Sequence, residues 1–251
     1  MAALAIVCTF IFTPWQILWT WITPLPDSVQ EQVDDATNLG FDGIIVYVDQ
    51  RGKPPVLYAS GWLDKENKVK ADPNSLFKIA SISKLYLAVA TTKLVNNKIL
   101  SLDDTLSTLL PELTGRIENA DQITLRMLLT HRSGIPDWID DEAFPWGNPP
   151  KDVNEVLSLV FDDAANFKPD SRYQYSNTNY LLIGNILDKT LGYGHQHYIK
   201  KEILDRLGLI NTFGSLSDVD PRKVMCGYDS HYKGDVKMLD FVSPSGAMVD
   251  C

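Results

Sequence analysis

A chain of 251 residues has the length of one large domain or two small ones, and 45% hydrophobic with 22% charged residues fits a globular protein with a real core. The net charge of −9 argues against a nucleic-acid partner, which asks for a basic face, and fits a soluble body that avoids acidic membrane surfaces. Cys8, Cys226 and Cys251 form no C-x-x-C pair and have no His at ligand spacing, which speaks against a zinc site; Cys226 and Cys251 can pair in an oxidising compartment.

Residues 1–26, "MAALAIVCTFIFTPWQILWTWITPLP", carry no charged side chain. The apolar run 2–12 has the length of a signal-peptide core, and with "WQILWTWI" the whole segment is barely long enough to span a bilayer. It is expected to be a signal peptide or membrane anchor, which places the protein outside the cytoplasm: periplasmic, secreted or membrane-anchored. No Lys or Arg precedes the run and no small-x-small cleavage site follows it, so a buried N-terminus is the alternative.

In chain order, residues 28–38 place Val29, Val33 and Ala36 at helical spacing and stop at Gly40. "GIIVYVD" and "PVLYASGW" read as two strands joined by a hairpin at "QRGKP". "LDKENKVKADPNS" reads as a polar loop. A helix runs from Ser81 to about Asn97, with Leu85, Ala88, Val89, Thr92 and Val95 facing one way. "ITLRMLLTH" is a short helix capped at Thr124. "RSGIPDWIDDEAFPWGNPP" is a long loop with two Trp and several Pro, of the kind that is often functional in a compact domain. "VNEVLSLVF", "NYLLIGNILDKTLG" and "HYIKKEILDRLG" are helical, the last two ending at Gly192 and Gly208. Beyond Gly208 the chain reads as irregular.

Three S-x-x-K matches occur, at Ser75, Ser81 and Ser230. Ser75 sits in a turn context after "DPN", and Ser230 in the polar, glycine-flanked "GYDSHYKGD". Ser81 alone opens a long apolar helix. Residues i and i+3 share a helix face, so Lys84 can reach the Ser81 hydroxyl. Burial favours a neutral, base-competent lysine, and the N-terminal N–H groups favour an oxyanion there. A serine hydroxyl needs such a base to become a nucleophile. The plain alternative is a serine cap beside a solvated lysine.

The single Y-x-N, Tyr175-Ser176-Asn177, stands just before another apolar helix. Tyr175 can relay a proton between nucleophile, Lys84 and leaving group. Asn177 offers an acceptor and a donor, to Lys84 and to a substrate carbonyl, and can also cap the helix. In "GHQH", from Gly194, two histidines at i, i+2 do not share a helix face, so no metal site is expected there either.

"LFKIASISKLYLAVATTKLVNNKILSLDDTL", "ITLRMLLTHRSGIPDW" and "YQYSNTNYLLIGNILDKTLG" together resemble the serine β-lactamase and penicillin-binding-protein superfamily, nearest its class C-like branch. The resemblance covers roughly residues 41–208. It implies an α/β (α+β) fold: an antiparallel sheet flanked by helices plus an all-helical domain, with Ser81 between them. On this reading 1–26 is the leader, 27–80 the N-terminal helix and strands, and 81–251 a mostly helical part. It implies an acyl-enzyme serine hydrolase acting on amide, β-lactam or ester bonds of a small-molecule or peptide substrate. No cofactor is needed. Ser81 is then the acylated nucleophile, Lys84 its base partner, Tyr175 the general acid/base and Asn177 a substrate-binding residue. For His131, in "THRSG", a structural role is expected. The family's third motif, [K/H]-x-G on a late strand, has no counterpart after Gly208; "SPSG" lacks the cation. The sheet is therefore expected to be incomplete, and a catalytically silent fragment or ligand-binding pseudoenzyme is the alternative function.

Overall fold

The computed structural model describes residues 13–140, 152–229 and 236–237, and the chain divides into two compact units, 1–75 and 76–251. Cys8, Cys251, the S-x-x-K at Ser230 and "SPSG" lie outside the described residues.

Among the described residues, the first element of the first unit is helix α1, Trp15–Ile22, on which Trp15, Trp19, Trp21 and Ile22 are exposed. No helix among the described residues is long and apolar enough to cross a membrane. Helix α2, Val29–Asn38, starts at Ser28 because Ser28 and Glu31 cap one another. The Glu31 N–H donates to Ser28 Oγ at 3.2 Å, and the Ser28 N–H donates to Glu31 Oε2 at 3.3 Å. Strands β1, Gly43–Val48, and β2, Val56–Asp64, pair antiparallel from Gly43↔Gly61 to Val48↔Val56. Gly61 has φ +80°, and a Cβ there would stand 2.3 Å from the Asp42 carbonyl oxygen, so only glycine fits.

The loop expected at 63–75 contains a third strand, β3, Val69–Lys70, paired with β2 across an irregularity at Trp62/Asp64. Two residues are too few to show a period of two, which is why pattern alone missed it. The result is a small, open antiparallel sheet β1-β2-β3 with α2 packed on β2, where Gln30 Nε2 donates to the Ala59 carbonyl at 3.1 Å.

The second unit is built around helix α3, Ser83–Asn96, which follows a 3-10 turn at Ala80–Ile82. Its buried face is Ser83, Lys84, Leu87, Ala90, Thr91 and Leu94. This corrects the expected face: Leu85 is 65% and Val89 46% exposed. The helix carries two apolar stripes, and periodicity cannot say which one meets a partner. The Leu87 stripe is buried in one core with Leu182, Ile183, Ile186 and Leu187 of helix α7, Asn177–Leu191. Thr91 joins that core at little cost because its hydroxyl donates to the Leu87 carbonyl at 2.8 Å.

Short helices α4, Leu106–Leu109, α5, Leu125–Leu129, and α6, Val153–Leu157, close the core. Thr124 caps α5 as expected, its hydroxyl accepting the Met127 N–H at 3.3 Å. Helix α7 ends at Gly192, φ +77°, in the left-handed conformation that glycine permits. Helix α8, His195–Ile199, passes through a π turn at Lys200–Leu204 into α9, Asp205–Leu207.

The tail after Gly208 is more ordered than the sequence suggests. It makes two 3-10 turns and a short pair, β4, Tyr228–Asp229, with β5, Val236–Lys237. It also returns to the residues just before Ser81: the Leu76 N–H donates to the Lys223 carbonyl at 2.9 Å, and the Met225 N–H to the Leu76 carbonyl at 2.7 Å. Cys226 is buried there.

Candidate active site

Ser81 occupies the 3-10 turn that leads into α3, and the residue before it, Ala80, has φ +45°. That left-handed conformation is uncommon for a residue with a Cβ and costs energy to hold. Lys84, one turn on and 6% exposed, donates from Nζ to Ser81 Oγ at 3.3 Å and to Asn177 Oδ1 at 2.9 Å. The Tyr175 hydroxyl lies 2.9 Å from Ser81 Oγ, and either oxygen can donate. The four residues singled out from the sequence therefore meet in one hydrogen-bonded chain, Tyr175–Ser81–Lys84–Asn177. Ser75, by contrast, closes a local turn with Asp72, whose N–H donates to Ser75 Oγ at 3.3 Å.

Tyr175 and Asn177 are held by the "THRSGIPDW" segment. The chain leaves α5 through His131 in the left-handed conformation, φ +55°, with the Arg132 N–H donating back to Met127 at 2.8 Å. At Gly134, φ +83°, a Cβ would fall 2.2 Å from the Phe167 carbonyl oxygen, so the close approach of the 167 segment requires glycine. Pro136, Asp137 and Trp138 then run beside the start of α7. Thr178 Oγ1 donates to the Pro136 carbonyl at 2.7 Å and accepts the Trp138 N–H at 3.1 Å. Ser133 Oγ donates to Asn179 Oδ1 at 2.6 Å.

The His131 ring stacks on Tyr175, with centroids 4.4 Å apart and planes at 29°, and meets Tyr180 at 5.2 Å. Its Nδ1 accepts the Ser176 N–H at 3.3 Å. Burial, reinforced by the charge of Lys84, pushes its imidazole below the ordinary range. Its geometry is that of a support for Tyr175.

Asp137 was not singled out from the sequence. It is buried, and its Oδ2 accepts from Asn177 Nδ2 at 2.9 Å. The only sequence signal was its place in a Trp- and Pro-rich loop. Asn177 is itself 7% exposed, with Oδ1 on Lys84 and one amide hydrogen on Asp137; one amide hydrogen is left for any other partner.

His195 and His197 do not come together: His195 is buried against Asp188, Nδ1 to Oδ1 2.8 Å, and His197 is exposed. No group of three or more His, Cys, Asp or Glu among the described residues is placed to hold a metal ion.

One unit with a small antiparallel sheet, and a second, mostly helical unit with serine, lysine and tyrosine hydrogen-bonded at the head of its helix α3, define a β-lactamase-like α/β protein. Residues 27–248 match the family model "Beta-lactamase", and the chain belongs to that family. Among its relatives, Protein flp of Staphylococcus aureus (strain N315) is 28% identical over 213 residues, covering 82% of this chain and 43% of that protein. The chain thus spans under half the length of this curated relative. D-amino acid amidase from Ochrobactrum anthropi SV3, solved with L-phenylalanine amide, superposes with a TM-score of 0.72 at 26% identity, over 88% of this chain and 61% of that one. The octameric penicillin-binding protein homologue from Pyrococcus abyssi superposes with a TM-score of 0.70 at 30% identity, over 82% and 48%.

Proposed function

We propose that the protein is a serine hydrolase that works through an acyl-enzyme on Ser81, acting on amide, β-lactam or ester bonds of a small molecule or peptide. The observation that carries this reading is the continuous Tyr175–Ser81–Lys84–Asn177 hydrogen-bonded chain. Ser81 Oγ attacks the carbonyl carbon while its proton passes to Lys84 or Tyr175, which both touch it. The backbone N–H of Ser81, in the turn that opens α3, is the donor this segment offers to the developing oxyanion. Collapse breaks the bond to the leaving nitrogen or oxygen, which takes a proton from Tyr175. Water then attacks the Ser81 ester by the same proton route, releasing a carboxylic acid and restoring the hydroxyl. Asn177 holds Lys84 through Oδ1 and offers its remaining amide hydrogen to the substrate carbonyl.

The amidase and the penicillin-binding protein homologue among the structural neighbours support this range of substrates. Export or membrane attachment through residues 1–26 belongs to the same reading, supported by their lack of charge and by the exposed Trp15, Trp19 and Trp21.

The test is to incubate the full chain with a fluorescent penicillin and, separately, a fluorophosphonate, and to map the label by mass spectrometry. Label on Ser81, abolished by Ser81→Ala, is the expected result. Label on Ser75 or Ser230 instead refutes the Ser81 assignment, and no label with either probe leaves a catalytically silent member of the family.

A further inference from the structure

We propose that Asp137 is the positioning residue of this site: its ionised carboxylate locks the Asn177 amide with Oδ1 on Lys84, so the chain to Ser81 is held in this one arrangement while Asp137 is charged and loosens when it is protonated. The inference rests on the acyl-enzyme reading for its kinetic consequence and on hydrogen-bond chemistry for its geometry.

An asparagine amide has a donor end and an acceptor end of nearly the same shape. Which end faces Lys84 is decided by what faces the other. A carboxylate has acceptors and no donor. Asp137 Oδ2, 2.9 Å from Asn177 Nδ2, can be satisfied only by the amide N–H, and Oδ1 is thereby turned toward Lys84 Nζ at 2.9 Å. Protonation removes that constraint. A carboxylic acid keeps a carbonyl acceptor but adds an O–H donor that Asn177 Oδ1 can accept, so the amide is no longer held in one orientation and Oδ1 is drawn away from Lys84.

The carboxylate is itself held in place. Pro136 and Trp138, its neighbours, are both bonded to Thr178. Its Oδ1 accepts the Ile139 N–H at 3.4 Å. It sits at the start of the 15-residue helix α7, where free N–H groups favour an anion and where the nominal cap, Ser176, makes no side-chain capping bond. Burial raises its carboxyl above the ordinary carboxylate range, with Asp140 adding to the rise; the N–H groups of Asn177 and Ile139 pull the other way. The other titratable groups facing this end of the site are Lys84 beyond Asn177, and His131, Tyr175 and Tyr180. His131, whose imidazole burial and Lys84 push below the ordinary range, also titrates on the acid side, so the part of the profile that belongs to Asp137 is the part that Asp137→Asn removes.

The experiment uses the full chain, wild type and with Asp137→Asn or Asp137→Ala. Two readouts are followed over pH: the rate of Ser81 labelling by a fluorophosphonate, and the Asn177 side-chain amide pair in 1H–15N spectra, assigned by its loss in Asn177→Ala. In the wild type the labelling rate should fall on the acid side with a midpoint above about 3.9, the ordinary aspartate value. The amide pair should shift over the same range. Asp137→Asn, which keeps the shape, should flatten both profiles and label about tenfold more slowly, the cost of losing a hydrogen bond to a charged group. Asp137→Ala should do the same if it folds. An unchanged pH profile in Asp137→Asn, with an amide pair that does not titrate in the wild type, overturns the proposal while leaving the acyl-enzyme reading intact. If the wild type does not label at all, the acyl-enzyme reading fails; the amide titration then decides the positioning role by itself, a static pair refuting it.

Discussion

The Tyr175 hydroxyl and Ser81 Oγ, 94 residues apart in sequence, lie 2.9 Å from one another in the second unit. Tyr175 stands just before α7, with one face of its ring against His131 and its surface 39% exposed. Ser81 lies in the turn at the head of α3. The contact joins the unit's two long helices at their N-terminal ends.

Because Lys84 and Tyr175 both touch Ser81 Oγ, they should behave as one proton-transfer unit. Lys84→Ala and Tyr175→Phe should each lower Ser81 labelling or ester hydrolysis by about 10²–10⁴-fold, and the double variant should cost little more than either. Measured rate losses that simply multiply would show two independent roles.

His131 should make stability depend on pH with a definite sign. Its folded-state pKa is lowered by burial and by Lys84, while the unfolded chain has the ordinary value of about 6.5. Below that value the unfolded state binds the proton more readily. The His131 contribution is thus complete above about pH 6.5 and is lost as pH falls through the lowered folded pKa. Melting curves should show the wild-type Tm dropping between about pH 7 and pH 5 by more than that of His131→Gln. Parallel drops would mean that other groups set the acid sensitivity.

The corrected face of α3 is open to a direct comparison. Leu87 has no exposed surface and packs in the core, so Leu87→Ala should cost about 2–5 kcal/mol. Leu85 is largely exposed, and Leu85→Ala should stay within about 0.5 kcal/mol. Chemical denaturation of the two variants checks the order, and a larger loss at Leu85 would refute the assigned face.

Gly134→Ala should damage fold and site together. A Cβ at φ +83° would collide with the Phe167 carbonyl, so the loop must shift. A loss of about 2 kcal/mol or more is expected, since strain from φ adds to the clash. Through the Ser133–Asn179 bond and the Pro136–Thr178 bond the same shift reaches Tyr175 and Asn177, and Ser81 labelling should slow. Unchanged melting and labelling would show that the segment yields without consequence.

Much of this protein is legible in its sequence because much of it is decided locally. Ser28 with Glu31, Thr124 with Met127, and Gly192 at the end of α7 fix helix boundaries through bonds that span three or four residues. Ser81 and Lys84 are one helical turn apart, so their contact follows from spacing alone. Tyr175 and Asn177 were singled out by their residue types ahead of an apolar helix and by family resemblance, not by any local rule that brings them to Ser81. What the tertiary structure decided is what depends on a partner distant in sequence. Which apolar stripe of α3 is buried depended on where α7 packs, since Leu85 and Leu87 are equally apolar. Strand β3 exists because β2 offers it a ladder. Asp137 gained its place only when the loop after α5 was laid along the head of α7, forty residues further on. A hydrogen bond across such a distance leaves no period or spacing in the chain, because its energy depends on folding to bring both ends into one dry place.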